Sequence, residues 1–206
     1  MVNLLLWMGA ILKVTKMEKI YLDSPKGKCL YYPKFIHKDY TDELTKSLNW
    51  DQSKIKIFGK VIPIPRLNAW YANPGIHYMY SGHQLKHNHW TPVLLDLKGQ
   101  IEEFCSMEFN SCLINLYRHG KDYVSWHSDN EPELGPDPFI ATLSFGGIRK
   151  FQFRENKDRP IDSIEVESGS LLLTCDGFHA NYKHQISPTS KEVGPRISLT
   201  FRQIMN

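Results

Sequence analysis

The stretch that decides the fold is RISLTFR, Arg196 to Arg202. Ile197, Leu199 and Phe201 take every second place, and Arg196, Ser198, Thr200 and Arg202 take the places between. That period of two belongs to a β-strand with one face on an apolar core. Working back along the chain, five more short runs have a similar texture: SLLLTC (170–175), SIEVE (163–167), IRKFQFR (148–154), FIATLSF (139–145) and CLINLYR (112–118). Turns separate them, and no helical pattern intervenes. Six strands so spaced predict a mainly β protein with flanking helices, an antiparallel barrel or jelly roll.

Upstream of residue 112 the pattern changes. A helix is expected to start around Asp39-Tyr40-Thr41, with Leu44 and Leu48 inward. A second is capped by Thr91 with Pro92 in its first turn, and Val93, Leu94, Leu97, Ile101 and Phe104 form its apolar side. Gly99 is a weak point in its middle. Residues 55–81, punctuated by Pro63, Pro65, Pro74 and Gly75, read as irregular hairpins.

Composition fits this reading. In 206 residues, 41% are hydrophobic and 23% charged, which excludes fibrous and wholly disordered chains. Twelve prolines and thirteen glycines favour a turn-rich β protein. The formal charge is only +3, although Lys13 to Lys60 holds 11 lysines against 6 acids. Cys29, Cys105, Cys112 and Cys175 form no CxxC pair and each adjoins an apolar run, as expected in a reducing compartment. The apolar opening VNLLLWMGAIL is too short to span a bilayer and lacks a basic start. Residues 1–16 are therefore expected to be an extension outside the fold.

The nine histidines need sorting. His127 and Asp129 stand two apart in VSWHSDNEPE, so on an extended chain both point one way and can chelate a metal. A third ligand has to come from elsewhere: His184 follows SLLLTC at a suitable distance, with His179, His119, His83, His87 and His89 as competitors. Two histidines and a carboxylate form the facial triad of non-haem iron, which leaves open positions for a co-substrate. Arg196 and Arg202, six residues apart and about 20 Å along an extended strand, could bracket a five-carbon dicarboxylate. Salt bridging on an exposed face is the alternative.

The runs NLYRHGKDYVSWHSDNEPELG, IATLSFGGIRKFQFR, KHQI and PRISLTFR, in this order, resemble the AlkB family of Fe(II)- and 2-oxoglutarate-dependent nucleic-acid dealkylases. The likeness extends back through IFGKVIPIPRLNAWYANPGIHYMYSG and covers roughly residues 30–204, nearest to the eukaryotic-type DNA repair demethylases. It implies a double-stranded β-helix over a single domain, 17–206, with a nucleotide-recognition lid at about 55–90. By resemblance, His127, Asp129 and His184 hold Fe(II), while Asn115, Tyr117, Arg196, Thr200 and Arg202 hold 2-oxoglutarate.

The reaction so implied splits 2-oxoglutarate to succinate and carbon dioxide. It hydroxylates an N-methyl group on 1-methyladenine or 3-methylcytosine in DNA, and the product releases formaldehyde. Tyr78 and Tyr80 match base-stacking residues opposite His127. Glu131 matches an acidic base reader, while Asn130 stands where relatives usually carry an acid. Phe58, Gly59 and Lys60 resemble a finger that probes the duplex. Arg66, Trp70 and Tyr71 belong to the same lid. Alkylated DNA is the expected partner, for a monomer in nucleus or cytoplasm with no membrane association. The same chemistry on RNA or single strands is the first alternative, and a silent nucleic-acid-binding module the second.

Overall fold

In the computed structural model, which describes residues 19–57, 59–80, 83–156 and 160–205, the 196–202 stretch is a strand over its full length. The extension 1–16 and Phe58 lie outside the described residues. In chain order the strands are β1 (Lys19–Ser24), β2 (Gly27–Tyr32), β3 (Lys54–Ile57), β4 (Lys60–Pro63), β5 (Leu67–Ala72), β6 (Met79–Tyr80), β7 (His83–Gln84) and β8 (His87–Asn88). They continue with β9 (Ser111–Tyr117), β10 (Val124–His127), β11 (Ile140–Gly146), β12 (Arg149–Glu155), β13 (Asp162–Val166), β14 (Ser170–Cys175), β15 (Tyr182–Ile186) and β16 (Arg196–Arg202). Helices are α1 (Thr41–Ser47), α2 (Pro92–Cys105) and α3 (Phe178–Asn181).

Two sheets carry the architecture. The larger has eight strands in the order β1-β2-β14-β11-β16-β9-β5-β8, and the smaller has four, β10-β15-β12-β13. Every pairing in the two is antiparallel except β5 with β8. The jelly-roll expectation holds, and each of the six strands read from alternation is present within one residue of its expected ends.

Both faces of the large sheet are covered, for different reasons. Its outer face carries Ile197, Leu199, Phe201, Ile114, Leu143 and Leu171, packed against Leu44 and Leu48 of the α1 segment and Leu94, Leu97 and Ile101 of α2. The Thr91 hydroxyl accepts from the Leu94 amide at 3.4 Å, so the expected N-cap is in place. Burying one such Leu or Ile contributes about 1.5–3 kcal/mol. The inner face turns toward the small sheet and encloses a cavity.

Alternation failed where a strand is buried on both sides. LNAWYA (β5) carries no polar period, because Asn68 to Ala72 are all buried. It pairs with β9 from Leu67 opposite Leu116 to Ala72 opposite Ser111. Several separate elements fall within the stretch 55–90 expected as a lid. β3 and β4 form a hairpin paired only with itself, and β6 and β7 another, while Trp70 and Tyr71 between them are core residues. The β1–β2 hairpin was not anticipated either.

The SFGGIR turn between β11 and β12 needs its first glycine. Gly146 has φ +85°, and a Cβ there would meet the Pro195 carbonyl oxygen at 2.2 Å. This close approach ties the start of β16 to the end of β11.

Candidate active site

The cavity lies between the two sheets. It is lined from the large sheet by Asn115 and Tyr117 of β9, Thr142 of β11, Thr174 of β14, and Arg196, Ser198, Thr200 and Arg202 of β16. From the other side come His127 at the end of β10, Asp129 just beyond it, Phe151 of β12, His179 of α3 and His184 of β15. His127 lies opposite His184 in the β10–β15 ladder, so strand pairing brings two imidazoles together from 57 positions apart.

One end is a metal-binding arrangement. Each of His127, Asp129 and His184 offers a ligand atom within 4.8 Å of the others. His127 Nε2 stands 3.6 Å from Asp129 Oδ1, and the His127 and His184 ring centroids are 4.2 Å apart. The His127 Nδ1 lies 2.8 Å from the Ser125 carbonyl and donates to it, which leaves Nε2 as a lone-pair donor. Asp129 Oδ1 and His184 Nδ1 are buried with no hydrogen-bond partner among the described residues. A buried carboxylate oxygen in that condition is costly unless something positive fills the gap. Two imidazoles and one carboxylate suit Fe(II).

The electrostatics agree. Burial opposes the charge on Asp129, but the Arg202 guanidinium, at 2.9 Å, and the surrounding imidazoles hold its carboxyl well below the usual carboxylate range. Burial, and then the proximity of His127, push His184 well below the ordinary histidine value. Its imidazole is thus kept neutral, the form that binds metal. Burial likewise lowers His179 to about 4, and the Thr174 hydroxyl lies 2.8 Å from its Nε2.

The other end is built for an anion. Arg196 is 2% exposed, and its Nη2 donates to Ser144 Oγ at 2.9 Å. Its Nε and Nη1 are buried with no partner among the described residues. A buried guanidinium with two unfilled donors is costly unless an anion such as a carboxylate reaches it. Asn115 has its Oδ1 held by Arg66 Nε at 2.8 Å, so its amide nitrogen is the end left for a ligand. The residues present fit 2-oxoglutarate as well as iron.

The base-handling residues are placed differently. Tyr78 is 1% exposed, and its hydroxyl accepts from Arg202 Nη1 at 3.1 Å. Its ring packs on Trp70 at 6.1 Å between centroids, so the side chain sits beside Arg202. Tyr80 has its backbone in β6, but its side chain is outside what is described, as is Phe58. Gly59 and Lys60 sit exposed at the β3–β4 turn, away from the cavity lining. Asn130 is exposed; Glu131 is half-buried, with one carboxylate oxygen lacking a partner among the described residues.

Sequence reading missed Thr142 and Ser144, and it put Arg66 in the lid, whereas its Nε holds Asn115 at the cavity. The first two alternate in FIATLSF on the face that proves to be inner, and that parity was the available signal. Among the described residues no helix is long and apolar enough to cross a membrane.

Comparison with known proteins places this geometry. The family model described as the 2OG-Fe(II) oxygenase superfamily matches residues 28–202. The chain is 38% identical over 197 residues to the mouse alpha-ketoglutarate-dependent dioxygenase alkB homolog 3, covering 88% of this chain and 68% of that protein. With the bovine alkB homolog 3 the identity is 44% over 151 residues, 68% of this chain and 52% of that one. With the mouse DNA oxidative demethylase ALKBH2 it is 35% over 161 residues, covering 74% and 67%. The chain thus spans between about half and two thirds of these relatives. Among solved structures, that of OsALKBH1 superposes with a TM-score of 0.58 at 15% identity, covering 90% of this chain and all of that one, a likeness of fold. With the iron triad and the buried Arg196 guanidinium at opposite ends of one jelly-roll cavity, these likenesses make the chain a member of the AlkB family of 2OG-Fe(II) oxygenases.

Proposed function

We propose that the protein is an Fe(II)- and 2-oxoglutarate-dependent dioxygenase that removes methyl groups from N-alkylated bases in DNA, 1-methyladenine and 3-methylcytosine among them. The observation that carries this reading is a single cavity running from His127, Asp129 and His184 to the buried guanidinium of Arg196, whose Nε and Nη1 have no hydrogen-bond partner among the described residues. The relatives' names supply the substrate class.

The division of labour follows from the geometry. His127, Asp129 and His184 would hold Fe(II) on one face, and the bound metal supplies oxygen activation coupled to decarboxylation of 2-oxoglutarate. Arg196, with the Ser144 hydroxyl beside it, holds the far carboxylate of the co-substrate, and the Asn115 amide orients its length. Arg202 keeps Asp129 ionised and aimed at the metal, and Tyr78 keeps Arg202 in place. Apolar groups, among them Leu113, Ile140, Phe151, Leu172 and Ile186, line the rest of the cavity and exclude water from the reacting atoms. One oxygen atom of O2 goes to succinate and the other to the methyl carbon, whose hydroxymethyl adduct on the base nitrogen breaks down to formaldehyde and the free base. Glu131, beside the site, has a carboxylate oxygen available to accept from an exocyclic amino group. The exposed β3–β4 hairpin, with Gly59 and Lys60 at its turn, is where a duplex would be probed.

Incubation with Fe(II), 2-oxoglutarate and methylated oligonucleotides, single- and double-stranded, DNA and RNA, tests the proposal by mass of the repaired base. Loss of 14 mass units from methylated DNA, abolished in His127→Ala and retained in His87→Ala, is expected. No demethylation of any DNA substrate refutes it, and turnover confined to RNA moves the substrate class.

A further inference from the structure

The end of the cavity away from the triad carries more positive charge than Arg196 alone provides. Two guanidinium groups lie over the Tyr117 ring, Arg196 at 5.2 Å from its centroid and Arg149 at 5.6 Å. Arg149 is 3% exposed and is not among the residues lining the cavity. It sits at the start of β12, on the same side of that strand as Phe151 and Phe153, so its inward direction follows from strand parity.

Its hydrogen bonds go to main-chain oxygens. Nη2 donates to the carbonyls of Ser187 at 2.6 Å, Asp122 at 2.7 Å and Gly120 at 3.4 Å, and Nη1 to that of His119 at 3.3 Å. Four carbonyls from two loops satisfy the N–H groups but form no ion pair; the nearby Asp122 carboxylate is held by Arg118 at 2.8 to 3.0 Å. Among the described residues no carboxylate forms an ion pair with Arg149 or Arg196. Two buried like charges on one tyrosine ring are unfavourable by themselves and favourable once an anion arrives between them and the metal end. Only a planar fork reaches several carbonyls in one plane while keeping a charged face on a ring, so a lysine cannot reproduce the arrangement.

We propose that Arg149 is a positioning residue for the far carboxylate of 2-oxoglutarate: clasped by four main-chain carbonyls, it fixes Tyr117 beside Arg196 and supplies a second positive charge to that end of the cavity. This rests on the reading that the cavity takes 2-oxoglutarate. Arg149 acts through Tyr117 and through its field, not by touching the co-substrate.

The test separates charge from packing by comparing two keto acids on Mn(II)-loaded protein by calorimetric titration. 2-Oxopentanoate has the same keto-acid head as 2-oxoglutarate, with a methyl group in place of the far carboxylate. Arg149→Met is expected to raise the Kd of 2-oxoglutarate about tenfold, the scale of a desolvated cation–π contact, and to leave that of 2-oxopentanoate within about twofold. Asp122→Asn loosens the same turn but keeps the guanidinium, and should leave the ratio of the two affinities unchanged. Equal weakening of both acids in Arg149→Met, or the same selective loss in Asp122→Asn, overturns the proposal. If Arg149→Met does not fold, Arg149→Lys carries the comparison: KM for 2-oxoglutarate should rise with kcat kept, and a fall in kcat alone counts against it. A wild-type protein that binds neither acid would overturn the reading of the cavity itself, a result distinct from an Arg149 variant that binds like wild type.

Discussion

Replacing Arg202 with methionine tests how the triad is held before any metal arrives. Arg202 and Asp129 are each 4% exposed at the side chain and meet at 2.9 Å, while the second Asp129 oxygen is buried with no partner among the described residues. Removing the guanidinium leaves a carboxylate in a poorly solvated site, and breaking one side of such a pair costs about 3–5 kcal/mol. For a domain of this size each kcal/mol moves Tm by about 2–4 °C, so metal-free Arg202→Met should melt about 6–20 °C below wild type. A divalent cation among His127, Asp129 and His184 supplies the missing positive charge, and Arg202 no longer repels it. Saturating Mn(II) should therefore raise the Tm of the variant by more than that of wild type. The assay is differential scanning calorimetry on metal-free and Mn(II)-saturated samples of both proteins, with Arg202→Lys as the charge-conserving intermediate. An equal loss with and without metal, or a metal-free loss below about 1 kcal/mol, would refute the idea that Arg202 stands in for part of the cation's charge.

Three further outcomes follow from elements away from the triad. Gly99→Ala in α2 meets no atom within 4 Å and should stabilise the protein by about 0.5–1 kcal/mol, read as a rise in the denaturant midpoint. Gly146→Ala drives a Cβ to 2.2 Å from a carbonyl at a positive φ, and should lower Tm by several degrees or prevent folding; an unchanged melting curve would contradict the close approach at the β11–β12 turn. Asp122 is opposed by burial, but the Arg118 side chain and amide, at 2.8 to 3.0 Å, lower its pKa below the ordinary value. A lowered folded-state value gives stability that is present above the unfolded pKa of about 3.9 and is lost as pH falls toward the folded one. Asp122→Asn should therefore be less stable than wild type at neutral pH, and the two curves should converge in acid.

What the sequence could show depended on whether a strand had one wet face. β16 was readable because its polar residues fill every second place, although their face proved to be a buried cavity wall instead of a solvated surface. β5 was hidden because both of its faces are covered, which removes the period. His127 and Asp129 stood out as neighbours in sequence, whereas the choice of His184 over His179 is a matter of strand pairing. His179 lines the same cavity 5.7 Å from His184, and the residues alone gave no reason to exclude it. Tyr78 was legible only through the resemblance; its burial against Trp70 and its bond from Arg202 carry no signal in the residues around it. Arg149 carried a usable signal in the parity it shares with Phe151 and Phe153, but an arginine in an alternating strand is ordinarily assigned to the outside.

The isolation of the β3–β4 hairpin divides the molecule into units that open on different terms. β16 is bonded along its whole length to β11 on one side and β9 on the other, so its amides exchange with solvent only when most of the large sheet comes apart. The hairpin's ladder runs only between its own two strands and can open while the sheet stays closed. In the proposed enzyme, the arginines that hold the co-substrate and steady Asp129 thus belong to a slowly opening unit, and the surface that would meet nucleic acid to one that opens cheaply. Solvent exchange of the amides of Lys54–Ile57 and of residues 60–62 can accordingly register contact with a polynucleotide while the strand bearing Arg196 and Arg202 remains silent.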